Sequence, residues 1–195
     1  MMEKREPLDQ RIAEQVRALR AERGLTLEAL AEQSGVSRSM ISLIERSESS
    51  PTAVLLERLA TGLSVPLAAL FATSHASPQP IARRADQPQW RDPASGYLRR
   101  NISPGSFPSP IQIVEVEFPP GARVAFDTGA RGLRLHQQVW MLAGAIEVTV
   151  GEDCHLLRTG DCLAFVLDRP TSFHNRASKP ARYAVVVVSQ PAIAG

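Results

Sequence analysis

The sequence predicts a multidomain chain of α and β class, in which five short helices precede an antiparallel β-sandwich or jelly-roll barrel. Three observations predict it. Apolar residues recur at helical spacing from Ile12 to Phe71, between residues that cap and stop helices. Residues 73–88, TSHASPQPIARRADQP, then turn rich in Pro, Ser and Gln, the composition of a linker. From Trp90 onward the helical period gives way to apolar and β-branched runs, broken by Gly, Pro and Asp turns about every ten residues. The expected divisions are a helical domain at 9–72, a linker at 73–88 and a β-domain at 89–191.

Asp9 starts the first helix. Ile12, Val16 and Leu19 share one face, while Arg11, Glu14, Arg17, Arg20 and Arg23 are left mostly to water, and Gly24 ends the helix. Thr26 caps a second helix that carries Leu27, Leu30 and Ala31 on one side. Gly35 stops it, because Gly enters a left-handed turn without a Cβ penalty. Val36 plugs the corner, and Ser37 caps a third helix that buries Ile41 and Ile44. Two short helices joined by a tight Gly turn form a helix-turn-helix, whose second helix fits the major groove of DNA. An ordinary αα-hairpin shows the same pattern. The third helix, however, turns Arg38, Ser39, Ser42 and Leu43 away from its buried face. Donors, acceptors and a modest apolar group are what base edges and thymine methyls require. Pro51 begins a fourth helix with Val54, Leu55, Leu59 and Leu63 inward, and Val65-Pro66 opens a last one, Leu67 to Phe71.

The run SGVSRSMISLIER, Ser34 to Arg46, is followed by Pro51 and a leucine-rich helix. Together they resemble the Cro/repressor-like helix-turn-helix family, often called the xenobiotic response element family, from Val16 to Phe71. The resemblance implies a bacterial, cytoplasmic regulator that binds double-stranded DNA as a homodimer, since one helix reads only a few base pairs. Arg38 is then expected to reach a base edge, bidentate to guanine, with Ser39, Ser42 and Leu43 refining the sequence. Thr26, Ser37, Arg46 and Arg17 are expected on phosphates, and Leu27 is counted with the DNA-facing set. Ser47 stands where the family usually has Gly, which predicts a less sharply turned end to the third helix.

Net charge is +2, and residues 1–75 carry nine Lys/Arg against ten Asp/Glu. No dense basic patch marks a nucleic-acid surface, so affinity for DNA must come from where a few arginines and helix N-termini stand. The longest apolar runs, Leu67 to Ala72 and Tyr183 to Val188, are too short to cross a bilayer, and no membrane partner is expected. The N-terminus has no apolar segment of the secretory kind. Two cysteines, Cys154 and Cys162, make no disulfide framework, which fits a reduced compartment.

Strands are predicted near Tyr97–Ile102, Ile111–Phe118, Arg123–Phe126, Leu135–Leu142, Ala145–Val150, His155–Arg158, Cys162–Phe165, Ser172–Arg176 and Arg182–Val188. Arg83 and Arg84 belong either to a first edge strand, the favoured reading, or to solvated linker. The run Val185 to Val188 does not alternate, so it is expected to be buried on both faces, between sheets or at a dimer contact. Nine short strands with regular turns make a sandwich or barrel.

Three runs, VWMLAGAIEV (Val139 to Val148), TGDCLAF (Thr159 to Phe165) and DRPTSFHN (Asp168 to Asn175), resemble the cupin family in order and interval. Cupin enzymes hold a divalent metal with two or three His and one Glu or Asp. The resemblance places those ligands on Gln137, on Thr171 and between Ala130 and Leu133, where there is no His. An amide and a hydroxyl replace poorly an anionic or imidazole ligand, so no metal and no cofactor is expected. His136, His174 and Cys162 would regain a site only through a bulge, since an odd offset turns a side chain to the other face of a strand. Gln137, Val139, Met141, Phe165, Thr171, Phe173 and Asn175 share the inward parity. They line either a pocket for a small-molecule effector or an interior filled by its own side chains, and both readings stay open. Trp140 has the opposite parity. The expected function is a sequence-specific transcriptional regulator whose cupin domain dimerises and, if the interior is a pocket rather than filled, senses a small molecule. The alternative is a metal-dependent cupin isomerase or oxygenase with a helical appendage.

Overall fold

A computed structural model of the chain describes residues 8–71, 79–105, 107–127 and 133–191. Residues 73–78 of the expected linker and 130–132, where the cupin resemblance looks for its first histidines, lie outside the described residues.

The helical part consists of α1 (Leu8–Glu22), α2 (Leu27–Ser34), α3 (Arg38–Glu45) and α4 (Ala53–Gly62). The expected fifth helix, Leu67–Phe71, is a 3₁₀ turn. Five residues behind a proline are too few to close a run of i→i−4 bonds. The apolar stripes meet in one core, with Ile12, Val16, Leu30, Ile41, Ile44, Leu56, Leu59 and Leu63 at 0–1% exposure. Gly62 is required by the approach of two helices. A Cβ there would lie 2.8 Å from that of Ser34, so α4 could not pack so closely on α2.

Three local expectations change. Helix α4 starts at Ala53, not at Pro51: Thr52 is the cap, accepting from the Leu55 N–H at 3.4 Å. Its buried face is Ala53, Leu56, Leu59, Ala60 and Leu63, while Val54 and Leu55 are half-buried. Leu55 and Leu56 are neighbours, so apolar spacing alone does not say which points inward. Ser47 does not loosen the end of α3. It enters the left-handed region itself, at φ 58°, and its N–H bonds to the Ile44 carbonyl at 2.9 Å.

The β-part has ten strands among the described residues: β1 (Gln89–Arg91), β2 (Leu98–Asn101), β3 (Ile111–Phe118), β4 (Arg123–Phe126), β5 (Leu133–Ala143), β6 (Ala145–Val150), β7 (Asp153–Arg158), β8 (Cys162–Val166), β9 (Thr171–His174) and β10 (Ala181–Pro191). The short β1 is not expected from the sequence. Arg84 lies in a 3₁₀ turn, Arg84–Asp86, with Arg83 just before it, rather than in an edge strand. All pairings are antiparallel. One sheet has the order β1-β2-β3-β10-β5-β8 and the other β4-β9-β6-β7. Ten residues of β5 run along β10, from Ala143 opposite Arg182 to Leu133 opposite Pro191, and β3 flanks β10 on its other side. The run Val185–Val188 is therefore central in its sheet. Val185 points into the core, and its successors are half-buried.

Inner faces of the two sheets close on Val114, Val116, Phe118, Val139, Met141, Ile146, Val148 and Phe173. The core does not stop at the boundary between helices and strands. Phe71 meets Trp90 edge-on at 5.9 Å, Trp90 meets Tyr97 at 5.9 Å, and Tyr97 stacks on Phe118 at 5.6 Å. Tyr183 and Phe173 continue the row at 6.3 and 5.8 Å. Each such pair adds about 0.5–1.5 kcal/mol beyond its buried area. Arg58 of α4 also reaches Asp127, after β4, at 3.2 Å.

Candidate nucleic-acid interface and barrel cavity

Local chemistry builds the turn between α2 and α3. The Thr26 hydroxyl accepts from the Ala29 N–H at 3.1 Å, and the Ser37 hydroxyl from the Met40 N–H at 3.2 Å. Gly35 takes φ 65° and donates to the Ala31 carbonyl, while Val36 is buried at the corner. Arg20 of α1 locks the far end of α3. It donates to both Glu45 oxygens, at 2.6 and 2.7 Å, and to the Leu25 carbonyl at 2.9 Å. That hydrogen bonding raises the Arg20 pKa above its ordinary value. Arg20 was expected in water. Its half-buried fork shows that a charged residue at the edge of an apolar stripe can be recruited when a carboxylate on another helix faces it.

With α3 fixed, Ser37, Arg38 and Ser39 are exposed at its N-terminal end, and Ser42 and Leu43 are half-buried on the same helix. The Ser37 and Ser39 hydroxyls lie 3.2 Å apart. Arg38 is paired with Glu28 of α2, both side chains being more than 60% exposed. Such a surface pair is worth about 0–1 kcal/mol, so a base edge or phosphate can displace it. Arg46 is held more firmly. It donates through two nitrogens to Glu48, at 2.8 and 2.9 Å, and through the third to the Ser42 hydroxyl. The hydrogen bonds raise the Arg46 pKa and lower that of Glu48. Arg17 and Thr26 are exposed, whereas Leu27 is half-buried against the helical core.

The barrel encloses a cavity of about 100 Å³. Gln137, Thr171 and Phe173 line it, as the sequence pattern expects, but Val139, Met141, Phe165 and Asn175 do not. Inward parity selects a face of a strand, not a depth along it. Val139 and Met141 lie deeper and are packed shut at 0% and 1% exposure, and Phe165 is half-buried against the core. The Asn175 amide is committed elsewhere, donating to the Phe118 and Lys179 carbonyls at 3.0 Å each. The walls missed by sequence reasoning come from β3 and β10 (Val114, Val116, Tyr183, Val185), from Tyr97 and Arg99, and from the helical part (Glu57, Pro66, Leu67, Ala68). No sequence signal marks Arg99, because a buried arginine contradicts the pattern by which strands are read.

The residues weighed as a regained metal site do not converge. His136 is half-buried with outward parity, and Cys162 is exposed on β8 of the same sheet, 3.9 Å from the Gln138 amide oxygen. His174 belongs to the other sheet, its Nδ1 3.8 Å from Glu147, which also accepts from Arg176 at 2.6 Å. Among the described residues no group of three His, Cys, Asp or Glu side chains is placed to hold a metal ion, and no helix is long and apolar enough to cross a membrane.

Residues 16–70 match the model of the family described as Helix-turn-helix. The chain is similar to the HTH-type transcriptional regulator SutR of Escherichia coli (strain K12), at 28% identity over 168 residues that cover 86% of this chain and 89% of that protein. In three dimensions it is similar to an HTH_3 family transcriptional regulator from Vibrio cholerae, with a TM-score of 0.76 and 27% identity over 93% of this chain and 96% of that one. The cupin domain of an XRE family transcriptional regulator from Enterobacter cloacae is similar at a TM-score of 0.42 and 17% identity, over 47% of this chain and 95% of that one. Residues 16–70 therefore form a domain of the helix-turn-helix type, and a two-sheet antiparallel β-sandwich follows it.

Proposed function

We propose that the protein is a sequence-specific DNA-binding transcriptional regulator that works in the cytoplasm as a homodimer. The observation that carries this reading is the exposed ridge of Ser37, Arg38 and Ser39 at the start of a helix whose two ends are locked, by the Ser37 cap and by the Arg20–Glu45 fork. A rigid helix with donors and hydroxyls at its N-terminal end is suited to base edges and to phosphates. Arg38 takes the base contact, Ser39, Ser42 and Leu43 shape the preference, and Arg17, Thr26, Ser37 and Arg46 take the backbone. Arg46 reaches a phosphate by exchanging Glu48 for it.

Pairing of two copies is supported by the outer face of the six-stranded sheet. Trp140 is 52% exposed there, beside Ala184 of β10 and Cys162 of β8, with Ile111, Ile113, Val186 and Val188 on the same face. A two-fold pair presents two recognition helices to half-sites one helical turn apart, about 34 Å.

Selection from a random DNA pool tests the reading. The wild-type chain is expected to enrich a two-fold symmetric sequence. Arg38→Ala is expected to relax one position in each half-site and to weaken binding by about 1–3 kcal/mol. Enrichment of no sequence would sink the regulator; an unchanged preference in the variant would remove Arg38 from the bases.

A further inference from the structure

Arg99 on β2 points into the barrel cavity and is only 9% exposed. Its Nε donates to the Asn101 side-chain oxygen at 3.3 Å, and its guanidinium lies 5.1 Å from the centroid of the Phe71 ring. Among the described residues its two terminal nitrogens meet no acceptor, and it forms no ion pair. Tyr97 and Tyr183 line the same cavity, and neither hydroxyl is committed to a hydrogen bond among the described residues. Glu57 lines the cavity too, with Thr61 Oγ1 3.4 Å from its carboxylate. The other walls are mainly apolar, among them Val114, Leu135 and Val185.

A buried guanidinium that forms no ion pair among the described residues is costly, and arginine stays protonated even where burial lowers its pKa. An anion in the cavity relieves that cost. A carboxylate is planar and accepts two parallel N–H bonds from such a fork. It also carries a single charge, which one guanidinium balances. A phosphate dianion would leave a second charge among apolar walls.

We infer that the barrel binds a small organic monocarboxylate, its carboxylate on the Arg99 fork with the Tyr97 and Tyr183 hydroxyls as further donors, and its hydrocarbon or aromatic body against the apolar wall. This names the chemical class of the effector, and rests on the regulator reading only for its consequence. Phe71, Pro66, Leu67 and Ala68 belong to the helical part, so an acid seated on Arg99 also touches the support of the DNA-reading domain. Its binding is then linked to operator affinity.

Calorimetric titration of the full chain with hexanoate, phenylacetate, their primary amides and inorganic phosphate, at one ionic strength and up to millimolar concentration, tests the inference. Both acids are expected to bind at one per chain, with amides and phosphate weaker by roughly tenfold or more. Arg99→Gln is expected to lose acid binding by a similar factor. Val187→Phe, which narrows the cavity and leaves Arg99 in place, is expected to lose it as well, and decides the matter if the Arg99 variant does not fold. Acids that bind no better than their amides, tighter binding of phosphate, or undiminished acid binding in a folded variant would overturn the inference. Acid binding through Arg99 in a chain that selects no DNA sequence would keep the site and overturn the regulator. Acid binding with unchanged operator affinity would keep the site and remove the linkage.

Discussion

The carboxylate of Asp92, in the turn after β1, accepts a hydrogen bond at 2.9 Å from the backbone N–H of Ala53, the first residue of α4. Its other oxygen accepts from the Ser95 N–H at 2.9 Å and from the Ser95 hydroxyl, and the side chain is 2% exposed. A residue of the β-sandwich thus supplies negative charge and an acceptor to the N-terminus of a helix in the helix-turn-helix domain. Asp92→Ala is expected to cost about 1–3 kcal/mol of stability, because it orphans a buried N–H. Asp92→Asn, which keeps an acceptor and loses the charge, is expected to cost less. Urea denaturation gives the two values, and hydrogen exchange at the first turn of α4 should rise in the Ala variant. Equal costs for both variants would assign the effect to charge.

Ser47 is a non-glycine residue held at φ 58°. Ser47→Gly is expected to raise stability by about 0.5–1 kcal/mol, since the left-handed conformation costs glycine nothing. The midpoint of denaturant unfolding reads the change. A lower midpoint would show that glycine's greater freedom in the unfolded chain outweighs the relief.

Trp140 is predicted to anchor the contact between two copies. Trp140→Glu is expected to leave the fold intact, because the side chain is largely exposed, and to weaken self-association by about 1.5–3 kcal/mol. Sedimentation velocity should show a dimer for the wild type and a monomer for the variant at equal concentration. A dimer in both would move the interface to another face.

Both tyrosines of the chain, Tyr97 and Tyr183, are buried, and desolvation pushes their pKa values well above the ordinary range. Above about pH 10 the unfolded chain releases tyrosine protons that the native one retains. Stability should therefore be unaffected by these groups at neutral pH. It should fall as pH rises past that point, by up to about 1.4 kcal/mol per unit for each tyrosine. Tyrosinate absorbance at high pH should appear together with loss of far-ultraviolet circular dichroism. Tyrosinate forming while the fold persists would contradict the burial.

Elements that depend on neighbours in sequence are legible in the chain. Thr26, Gly35 and Ser37 act within three or four residues of themselves, and caps and a left-handed turn need nothing more distant. The alternation in β3, β4 and β6 is likewise local, and those strands run from Ile111 to Phe118, Arg123 to Phe126 and Ala145 to Val150 as the pattern predicts. Long-range partners are not legible in the same way. Arg20 and Glu45 are 25 positions apart, and Arg58 and Asp127 are 69 apart. Depth along a strand is also hidden, which is why Val139 and Met141 pack shut while Gln137 meets the cavity.

The sequence by itself determined the order of helices and strands, the helix-turn-helix and the inward parity of the sandwich, because periodicity and capping are properties of contiguous residues. Tertiary structure alone decided that Asp92 caps α4, that Arg99 lies buried over Phe71, and that helical residues wall the barrel cavity. Those relationships join groups tens of positions apart, and a buried charge is stabilised by what surrounds it in space rather than by its neighbours along the chain.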